Sequence, residues 1–285
     1  MSQTGSFLQL IQALTPRYGE GEAHSIARIV LEDAFSTRHY AQFEPANDAQ
    51  RAEWARITAA LVDGQPVQYV LGSADFFGLK FKVSPAVLIP RQETEEVVDT
   101  GLQFLKKRAH AAPVILDIGV GSGCIGITLL HKLPGATLIG IEKSPEALQM
   151  AQNNAQNLLK NPERARFLLA DILTDAPGEL PVFDLIISNP PYIPRHEAAV
   201  MPEHVLAHEP ELALFVDDDD ALLFYRKIAA FAQQHLAPDG MLCFECNEFN
   251  APEVLALLNA AGFRHTQLLK DLNGADRIAT GICPD

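Results

Sequence analysis

The sequence of 285 residues lacks any apolar run of the ~18 residues that a membrane-spanning helix requires. Its first five residues also lack the basic and then apolar pattern of a secretory signal peptide. Cysteine is scarce, with four in the chain, and this usage is typical of proteins kept in a reducing compartment. These absences predict a cytoplasmic protein with no membrane partner.

A cluster of metal ligands is also missing from the sequence. Cys243 and Cys246 form a C-x-x-C pair, but the pair lies inside an apolar, strand-like run with no second pair nearby. A structural zinc site needs four ligands, and a redox-active pair would begin a helix. The nine histidines do not recur at the spacing of metal ligands. We therefore expect core cysteines and no metal.

Positive charge is in short supply as well. The chain carries 22 lysines and arginines against 36 aspartates and glutamates, which gives a formal net charge of −14. A surface with this balance repels the phosphate backbone of nucleic acids, because like charges face each other. We therefore expect no direct binding to DNA.

The beginning of the chain shows helical periodicity. Helices are predicted over residues 6–14, 21–35 and 48–63, and a β-hairpin is predicted around Gly78. The residues expected to point inward from the second helix are Ile26, Ile29, Val30 and Ala34. We divide the chain into a helical domain at 1–72, a hairpin and linker at 73–90, and an α/β domain at 91–285.

From residue 113 onward, apolar strand patterns alternate with amphipathic helices. This alternation is typical of an α/β fold with a largely parallel sheet. Strands are predicted over 113–117, 136–141, 166–170, 182–187, 241–246, 263–269 and 277–282.

The first of these strands runs into a glycine-rich loop, Asp117-Ile118-Gly119-Val120-Gly121-Ser122-Gly123, and then into a helix. Glycines let a backbone approach a ligand closely, and a helix N-terminus offers free N–H groups. A dinucleotide fingerprint would need glycine at position 124, which is Cys124, and no Lys-Ser/Thr follows as in a phosphate-binding P-loop. The carboxylate of Asp117 suits a ligand with a cationic, amino-acid-like tail, such as S-adenosylmethionine.

Acidic residues end the next two strands. Glu142 is placed to accept hydrogen bonds from both hydroxyls of a ribose, as in nucleotide-binding folds. Asp171 is placed to receive an adenine amino group, and Ile172 can cover the ring. Either acidic residue alone is as typical of a surface cap, but the succession at strand ends after a glycine loop favours a cofactor site.

The strand at 182–187 ends in Ser188-Asn189-Pro190-Pro191-Tyr192. Neither proline has an N–H to donate, so the strand stops there and the loop is stiff. The Asn189 side-chain oxygen and the Pro190 carbonyl can accept both hydrogens of one –NH2 group, and Tyr192 offers a face for stacking. This arrangement favours methylation of a planar nitrogen, although the same residues also occur in ordinary strand-ending turns.

Arg91 and Glu93 lie at the start of a predicted helix that runs to about Lys107. Two interpretations are equally open for them. They are either a solvated helix start or part of the entrance for cofactor or substrate.

With these motifs described, the chain resembles the HemK-type protein-(glutamine-N5) methyltransferases over nearly its whole length. The resemblance rests on the glycine loop and the Asn-Pro-Pro-Tyr loop, together with Ile89-Pro90-Arg91, Glu93-Thr94-Glu95, Glu209-Pro210 and Asp276-Arg277. It implies a seven-stranded, Rossmann-like class I S-adenosylmethionine-dependent methyltransferase domain, with a small N-terminal helical domain that takes part in substrate recognition. The implied reaction methylates the glutamine of the Gly-Gly-Gln motif in class I peptide chain release factors.

The candidate site residues follow from the motifs and the resemblance together. Catalysis is assigned to Asn189, Pro190 and Tyr192. The cofactor is assigned to Asp117, Gly119, Val120, Gly121, Ser122, Gly123, Glu142, Asp171, Ile172 and Asn189. The substrate is assigned to Asn189, Pro190, Pro191, Tyr192, Arg91 and Glu93.

Three other functions remain open. A sister enzyme acting on a glutamine of a ribosomal protein would share the fold, the cofactor and the loop. A DNA adenine-N6 methyltransferase shares Asn-Pro-Pro-Tyr, but residues 86–285 carry 15 basic against 27 acidic residues and show no basic stripe. A non-catalytic S-adenosylmethionine-binding module would not need the intact loop.

Overall fold

The computed structural model describes residues 5–174, 178–201, 203–217 and 219–284. The helices, numbered in chain order, are α1 (Ser6–Tyr18), α2 (Glu20–Ala34), α3 (Asp48–Val62), α4 (Val67–Leu71), α5 (Gln92–Arg108), α6 (Cys124–Lys132), α7 (Pro145–Leu158), α8 (Glu203–His208), α9 (Glu211–Leu214), α10 (Leu223–His235) and α11 (Ala251–Ala260). The strands are β1 (Ser73–Phe76), β2 (Leu79–Lys82), β3 (Val114–Ile118), β4 (Thr137–Glu142), β5 (Ala165–Leu169), β6 (Phe183–Ser188), β7 (Ile193–Pro194), β8 (Phe215–Val216), β9 (Leu236–Glu245), β10 (Arg264–Lys270) and β11 (Asp276–Ile282). Among the described residues, no helix is long and apolar enough to cross a membrane.

Two compact units emerge from these elements. The described residues of 1–73 and 202–208 form the first, and those of 74–201 and 209–285 form the second. The boundaries at residues 72 and 90 stay predictions, as does the role of the helical domain.

The first unit packs its helices around one hydrophobic cluster. In α1, the four apolar residues that recur at helical spacing are all buried, namely Phe7, Leu10, Ile11 and Leu14. In α2 the prediction is half wrong: Ile26 and Val30 are buried, but Ile29 and Ala34 are exposed. Ile29 lies beside the buried stripe, about 60° around the helix from Ile26 at about 100° per residue, and Ala34 is the final residue of α2.

Helix α4 was not predicted, because five residues are too few to show a helical period. The signals at its two ends were present in the sequence. Pro66 precedes its first residue, and Gly72 ends it in the left-handed region at φ 69°.

The second unit contains a seven-stranded sheet in the order β10-β11-β9-β6-β3-β4-β5. Strands β9, β6, β3, β4 and β5 pair in parallel, and β11 is antiparallel to both its neighbours. Helices cover both faces, which produces two buried clusters, one centred on Ile115 and Leu129 and the other on Leu116 and Phe244. The predicted α/β class with a seven-stranded sheet is confirmed.

The sheet order decides where the motifs meet. From β3 the chain proceeds to β4 and β5 on one side, and then returns to β6 on the other side of β3. Such a reversal opens a crevice at the carboxyl ends of the strands, where ligands bind in open α/β sheets. The glycine loop follows β3 and the Asn-Pro-Pro loop follows β6, so both border this crevice.

Candidate active site

A cavity of about 340 Å³ lies in the second unit at the carboxyl edge of the sheet. This volume is within the usual range for small-molecule sites. The cavity is lined by the segments that follow β3, β4, β5 and β6, by residues 86–91 and Thr94, and by Pro210, Leu212 and Ala213.

The glycine loop faces the cavity with two of its three predicted glycines. Gly119 and Gly121 have φ angles of 77° and 55°, in the left-handed region that favours glycine. Among the described residues, a Cβ atom on Gly121 would meet no atom within 4 Å, and one on Gly119 would meet only the Asn189 carbonyl oxygen at 3.9 Å. Gly123 differs, because its Cβ would lie 2.5 Å from Ile127 Cδ1, so a side chain at this position would displace Ile127 of α6. The open space in front of the first two glycines is suited to a ligand.

Val120 and Ser122 line the cavity with these glycines, whereas Asp117 does not. Asp117 is fully buried, and its Oδ2 accepts from the Gly126 N–H at 3.0 Å. Its Oδ1 has no hydrogen-bond partner among the described residues. Burial raises the pKa of Asp117 to about 7, assisted by the charge of Glu142 and opposed by the Gly126 hydrogen bond. The residue is thus a buried acceptor with one oxygen left for a donor.

Glu142 lines the cavity at the end of β4. Its Oε2 accepts from the Gly121 N–H and its Oε1 from the Ser144 N–H, each at 2.9 Å. These bonds join the glycine loop to the beginning of α7 and fix the orientation of the carboxylate. Each oxygen keeps a further lone pair with which to accept from a hydroxyl.

Asp171 and Ile172 line the cavity beyond the end of β5. The Asp171 carboxylate pairs with Lys143 Nζ at 2.9 Å and accepts from the Leu173 N–H at 2.9 Å. Burial raises the pKa of Asp171, but the bonds from Lys143 and Leu173 outweigh it and lower the pKa overall. An ionised acceptor therefore stands at this end of the cavity.

The loop after β6 meets the glycine loop across the crevice. The Ser188 hydroxyl donates to the Ile118 carbonyl at 2.6 Å, which ties the ends of β6 and β3 together. Asn189, Pro190 and Pro191 all line the cavity. The Asn189 side-chain –NH2 donates to Thr94 Oγ1 at 3.4 Å.

Tyr192 is placed differently from its neighbours in the loop. It is not among the residues that line the cavity, and its ring packs against the buried cluster that contains Phe244. Its hydroxyl donates to Glu245 Oε1 at 3.4 Å, and burial raises its pKa. Stacking of a substrate on this ring stays a prediction, and the observed arrangement does not support it.

Arg91 and Glu93 both lie at the start of α5, but only Arg91 lines the cavity. Arg91 lines the cavity, and its guanidinium pairs with the buried Glu209 carboxylate at 2.5 Å. Glu209 also accepts from the Ile89 N–H at 3.3 Å, so it fixes the segment that precedes α5. Glu93 does not line the cavity, and its role at the entrance stays a prediction.

Thr94 and Glu245 are part of the site although neither was among the candidate site residues. Both are buried, and the Thr94 hydroxyl donates to Glu245 Oε2 at 2.6 Å. The two residues are 151 positions apart, so no local pattern joins them. One signal was available for Glu245: it is an acidic residue at the end of an apolar strand, as is Glu142.

Residues 94–212 match the methyltransferase small domain family. A release factor glutamine methyltransferase of Flavobacterium psychrophilum is 40% identical over 278 residues, which cover 95% of each chain. The enzyme of the same name from Bacteroides thetaiotaomicron is 39% identical over 231 residues, which cover 81% of each chain.

The chain is similar to solved methyltransferase structures in its fold, at low sequence identity. The hMettl16 catalytic domain, in complex with MAT2A 3'UTR hairpin 6, has a TM-score of 0.56 at 14% identity, and the match covers 85% of this chain and 84% of that one. A methyltransferase from Pyrococcus furiosus has a TM-score of 0.51 at 17% identity and covers 84% of this chain and 100% of its own.

Proposed function

The chain belongs to the release factor glutamine methyltransferases, and from this premise we propose that it methylates N5 of the glutamine in the Gly-Gly-Gln motif of class I release factors. The methyl donor is S-adenosylmethionine. The observation that carries the proposal is the single cavity lined by both the glycine loop and Asn189-Pro190. A cofactor site and an acceptor pair for an –NH2 group are thereby adjacent.

The residues present fit the cofactor. The open space at Gly119 and Gly121 leaves room for a ligand against the backbone, and Asp117 Oδ1, which has no partner among the described residues, is an acceptor for a donor group on it. We assign the ribose hydroxyls to Glu142, and the adenine to Asp171 and Ile172. When bound, S-adenosylmethionine supplies a methyl group activated by a positively charged sulfur.

Asn189 and Pro190 act on the substrate amide. The lone pair of an amide nitrogen is delocalised into the carbonyl group, which makes the nitrogen a poor nucleophile. The Asn189 Oδ1 and the Pro190 carbonyl oxygen each accept a hydrogen bond from one N–H of the substrate amide. These two bonds orient the nitrogen and stabilise the positive charge that develops on it. S-adenosylmethionine, held by the glycine loop and Glu142, would supply the methyl group to this nitrogen, and the surplus proton on nitrogen would leave to water.

The remaining assignments concern recognition of the protein substrate. We propose that Pro191 and Arg91 border the approach of the glutamine, since both line the cavity. Residues 1–72 serve as a substrate-recognition domain in this proposal. Because release factors act in translation termination, we place the reaction in the cytoplasm, with neither DNA nor a membrane as partner.

The test is transfer of a labelled methyl group. The protein is incubated with labelled S-adenosylmethionine and, separately, a purified class I release factor, ribosomal proteins and DNA. Label should appear on the release factor and disappear when the glutamine of its Gly-Gly-Gln motif is replaced by alanine. Label on ribosomal protein or DNA with none on release factor would reject the proposal.

A further inference from the structure

Three polar side chains form a hydrogen-bonded chain from the end of β9 to the Asn189 loop. The Thr94 hydroxyl donates to Glu245 Oε2 at 2.6 Å, and Asn189 Nδ2 donates to Thr94 Oγ1 at 3.4 Å. Thr94 and Glu245 are each only 2% exposed, so water does not compete for the hydrogen bond between them. These hydrogen bonds end at Asn189, which lines the cavity, as Thr94 does.

The hydrogen bonds that link Asn189, Thr94 and Glu245 can run in only one direction while Glu245 is ionised. A carboxylate accepts hydrogen bonds and donates none. A hydroxyl has one proton, which Thr94 gives to Glu245, so the Thr94 oxygen is left to accept from Asn189. The Asn189 –NH2 must therefore face Thr94, and its Oδ1 is left for another partner.

We propose that Glu245 and Thr94 are positioning residues that hold the Asn189 amide with its oxygen toward the cavity. The oxygen and nitrogen of an asparagine amide have nearly the same shape, so packing alone does not select one orientation. A flipped Asn189 would present N–H donors to a substrate –NH2, which has only donors to offer, and no hydrogen bond would form. The inference rests on the proposed function, because an amide substrate is what demands an acceptor here.

The surroundings of Glu245 supply partners for its charge. The Tyr192 hydroxyl donates to its other oxygen, Oε1, at 3.4 Å. Burial raises the pKa of Glu245 overall, because the lowering effects of the Thr94 hydrogen bond and of the positive charge of Arg277 do not outweigh it. Each carboxylate oxygen accepts from a hydroxyl, Oε2 from Thr94 and Oε1 from Tyr192, and this acceptor-only geometry is that of the ionised form, in which the direction of the hydrogen bonds is fixed.

Substitutions at Thr94 test the inference in the full chain, by single-turnover methylation of a release factor with cofactor and release factor both saturating. Thr94→Val should lower the rate roughly 10- to 100-fold, because the acceptor of the reaction is no longer oriented. Cofactor Kd and release factor KM should stay within about twofold, since the loss concerns the transition state. Thr94→Ser keeps the hydroxyl and should recover most of the rate.

A matched control lies on the same helix. The Thr100 hydroxyl donates to the Glu96 carbonyl at 2.8 Å, within α5. Thr100→Val removes the same group from the same element away from the cavity, and it should methylate at the wild-type rate.

Glu245→Gln tests the direction of the hydrogen bonds. Glutamine has nearly the same shape as glutamate, but its –NH2 can donate to Thr94, which frees the Thr94 hydroxyl to donate to Asn189 Oδ1 and flips the amide. The rate should fall at least as far as in Thr94→Val. In an Asn189→Ala background, neither change should lower the rate further, because both act through Asn189.

Three results would overturn the inference: a wild-type rate for Thr94→Val, a Thr94→Ser variant as slow as Thr94→Val, or full additivity with Asn189→Ala. Should Glu245→Gln fail to fold, the Thr94 series and the Asn189 background still decide. A wild-type chain that leaves release factor unmethylated would reject the proposed function and this inference with it. If the wild-type chain methylates release factor and Thr94→Val does so equally fast, only this inference is rejected and the proposed function stands.

Discussion

Asp117 and Asn189 stand at the carboxyl ends of neighbouring strands, yet their side chains have opposite surroundings. Asp117 is fully buried, with one oxygen bonded to the Gly126 N–H and the other without a partner among the described residues. Asn189 lines the cavity and is held at its nitrogen by Thr94. A substitution at Asp117 should therefore change how the free energy of unfolding depends on pH, and a substitution at Asn189 should change the rate of methyl transfer.

Asn189→Ala should lower the single-turnover rate by ~10²–10³-fold, because the lost hydrogen bond strengthens as charge develops on the substrate nitrogen. Cofactor affinity, measured by calorimetry, should change little. The control is Asn153→Ala, at an exposed position of α7. A wild-type rate for Asn189→Ala with saturating cofactor would remove Asn189 from the reaction.

Asp117→Asn should change how stability depends on pH. Burial raises the folded-state pKa to about 7, so between the ordinary pKa near 4 and pH 7 the folded protein holds a proton that the unfolded chain has released. The stability that this group contributes is fully present below about pH 4 and is lost as the pH rises to 7. The unfolding free energy of the wild type should therefore fall relative to that of the non-titrating Asp117→Asn, by about 1.4 kcal/mol for each pKa unit of the shift.

The measurement for Asp117 is urea unfolding of both proteins without cofactor, at several pH values from 4 to 8. Asp99→Asn, at an exposed position of α5, is the control and should follow the wild type. Parallel stability curves for the wild type and Asp117→Asn would contradict the raised pKa.

The glycine loop between β3 and α6 combines two different uses of glycine. At Gly119 and Gly121 the backbone is left-handed and the space beyond it is open, whereas at Gly123 the neighbouring side chain of Ile127 fills that space. Substitution at the first two should block a ligand, and substitution at the third should disturb the packing of α6. Substitution of glycine should therefore impair ligand binding at Gly119 and Gly121 and impair folding at Gly123.

Gly121→Val should abolish measurable binding of S-adenosylmethionine in calorimetry, because its side chain would enter the cavity. The substitution also forces a β-branched residue into positive φ, at a cost of about 1–3 kcal/mol. Gly262→Val is the matched control, since Gly262 has φ 85° and a Cβ there would also meet no atom of the described part of the chain within 4 Å, but it lies outside the cavity. If Gly121→Val bound cofactor as tightly as Gly262→Val, the cofactor assignment would be wrong.

The molecule as a whole consists of two units with separate hydrophobic cores. The first has a cluster built on residues such as Leu14 and Leu31, and every residue that lines the cavity belongs to the second. Cofactor binding should therefore be a property of the second unit by itself.

Deletion of residues 1–72 should weaken binding of the release factor and leave the cofactor Kd within about threefold of wild type, if the helical domain mainly recognises the substrate. Calorimetry measures the cofactor, pull-down with immobilised release factor measures the partner, and far-UV circular dichroism checks the fold. Loss of both activities in a folded protein would mean that the helical domain completes the cofactor site.

The sequence by itself determined the features that depend on neighbouring residues. Strands with acidic ends, the glycine loop and the Pro-Pro stop were all predictable, because periodicity, positive φ and the missing N–H of proline are local properties. The seven-stranded α/β fold followed from the alternation of these elements and from the family resemblance. Helix α4 and the outward position of Ile29 were missed because a short helix has no period to read, and because an apolar residue can lie beside a buried stripe without joining it.

Only the tertiary structure decided how the site is held together. The order β9-β6-β3 brings Glu245, Asn189 and the glycine loop to one edge, and it is set by packing of the whole sheet. Thr94 reaches Glu245 across 151 positions of the chain, and Arg91 reaches Glu209 across 118. Contacts of this kind leave no trace in a local pattern, since each partner is chosen by the folded surroundings. Tyr192 follows the same rule: its sequence suggested an open stacking face, and burial beside Glu245 turned its hydroxyl into a donor to that carboxylate.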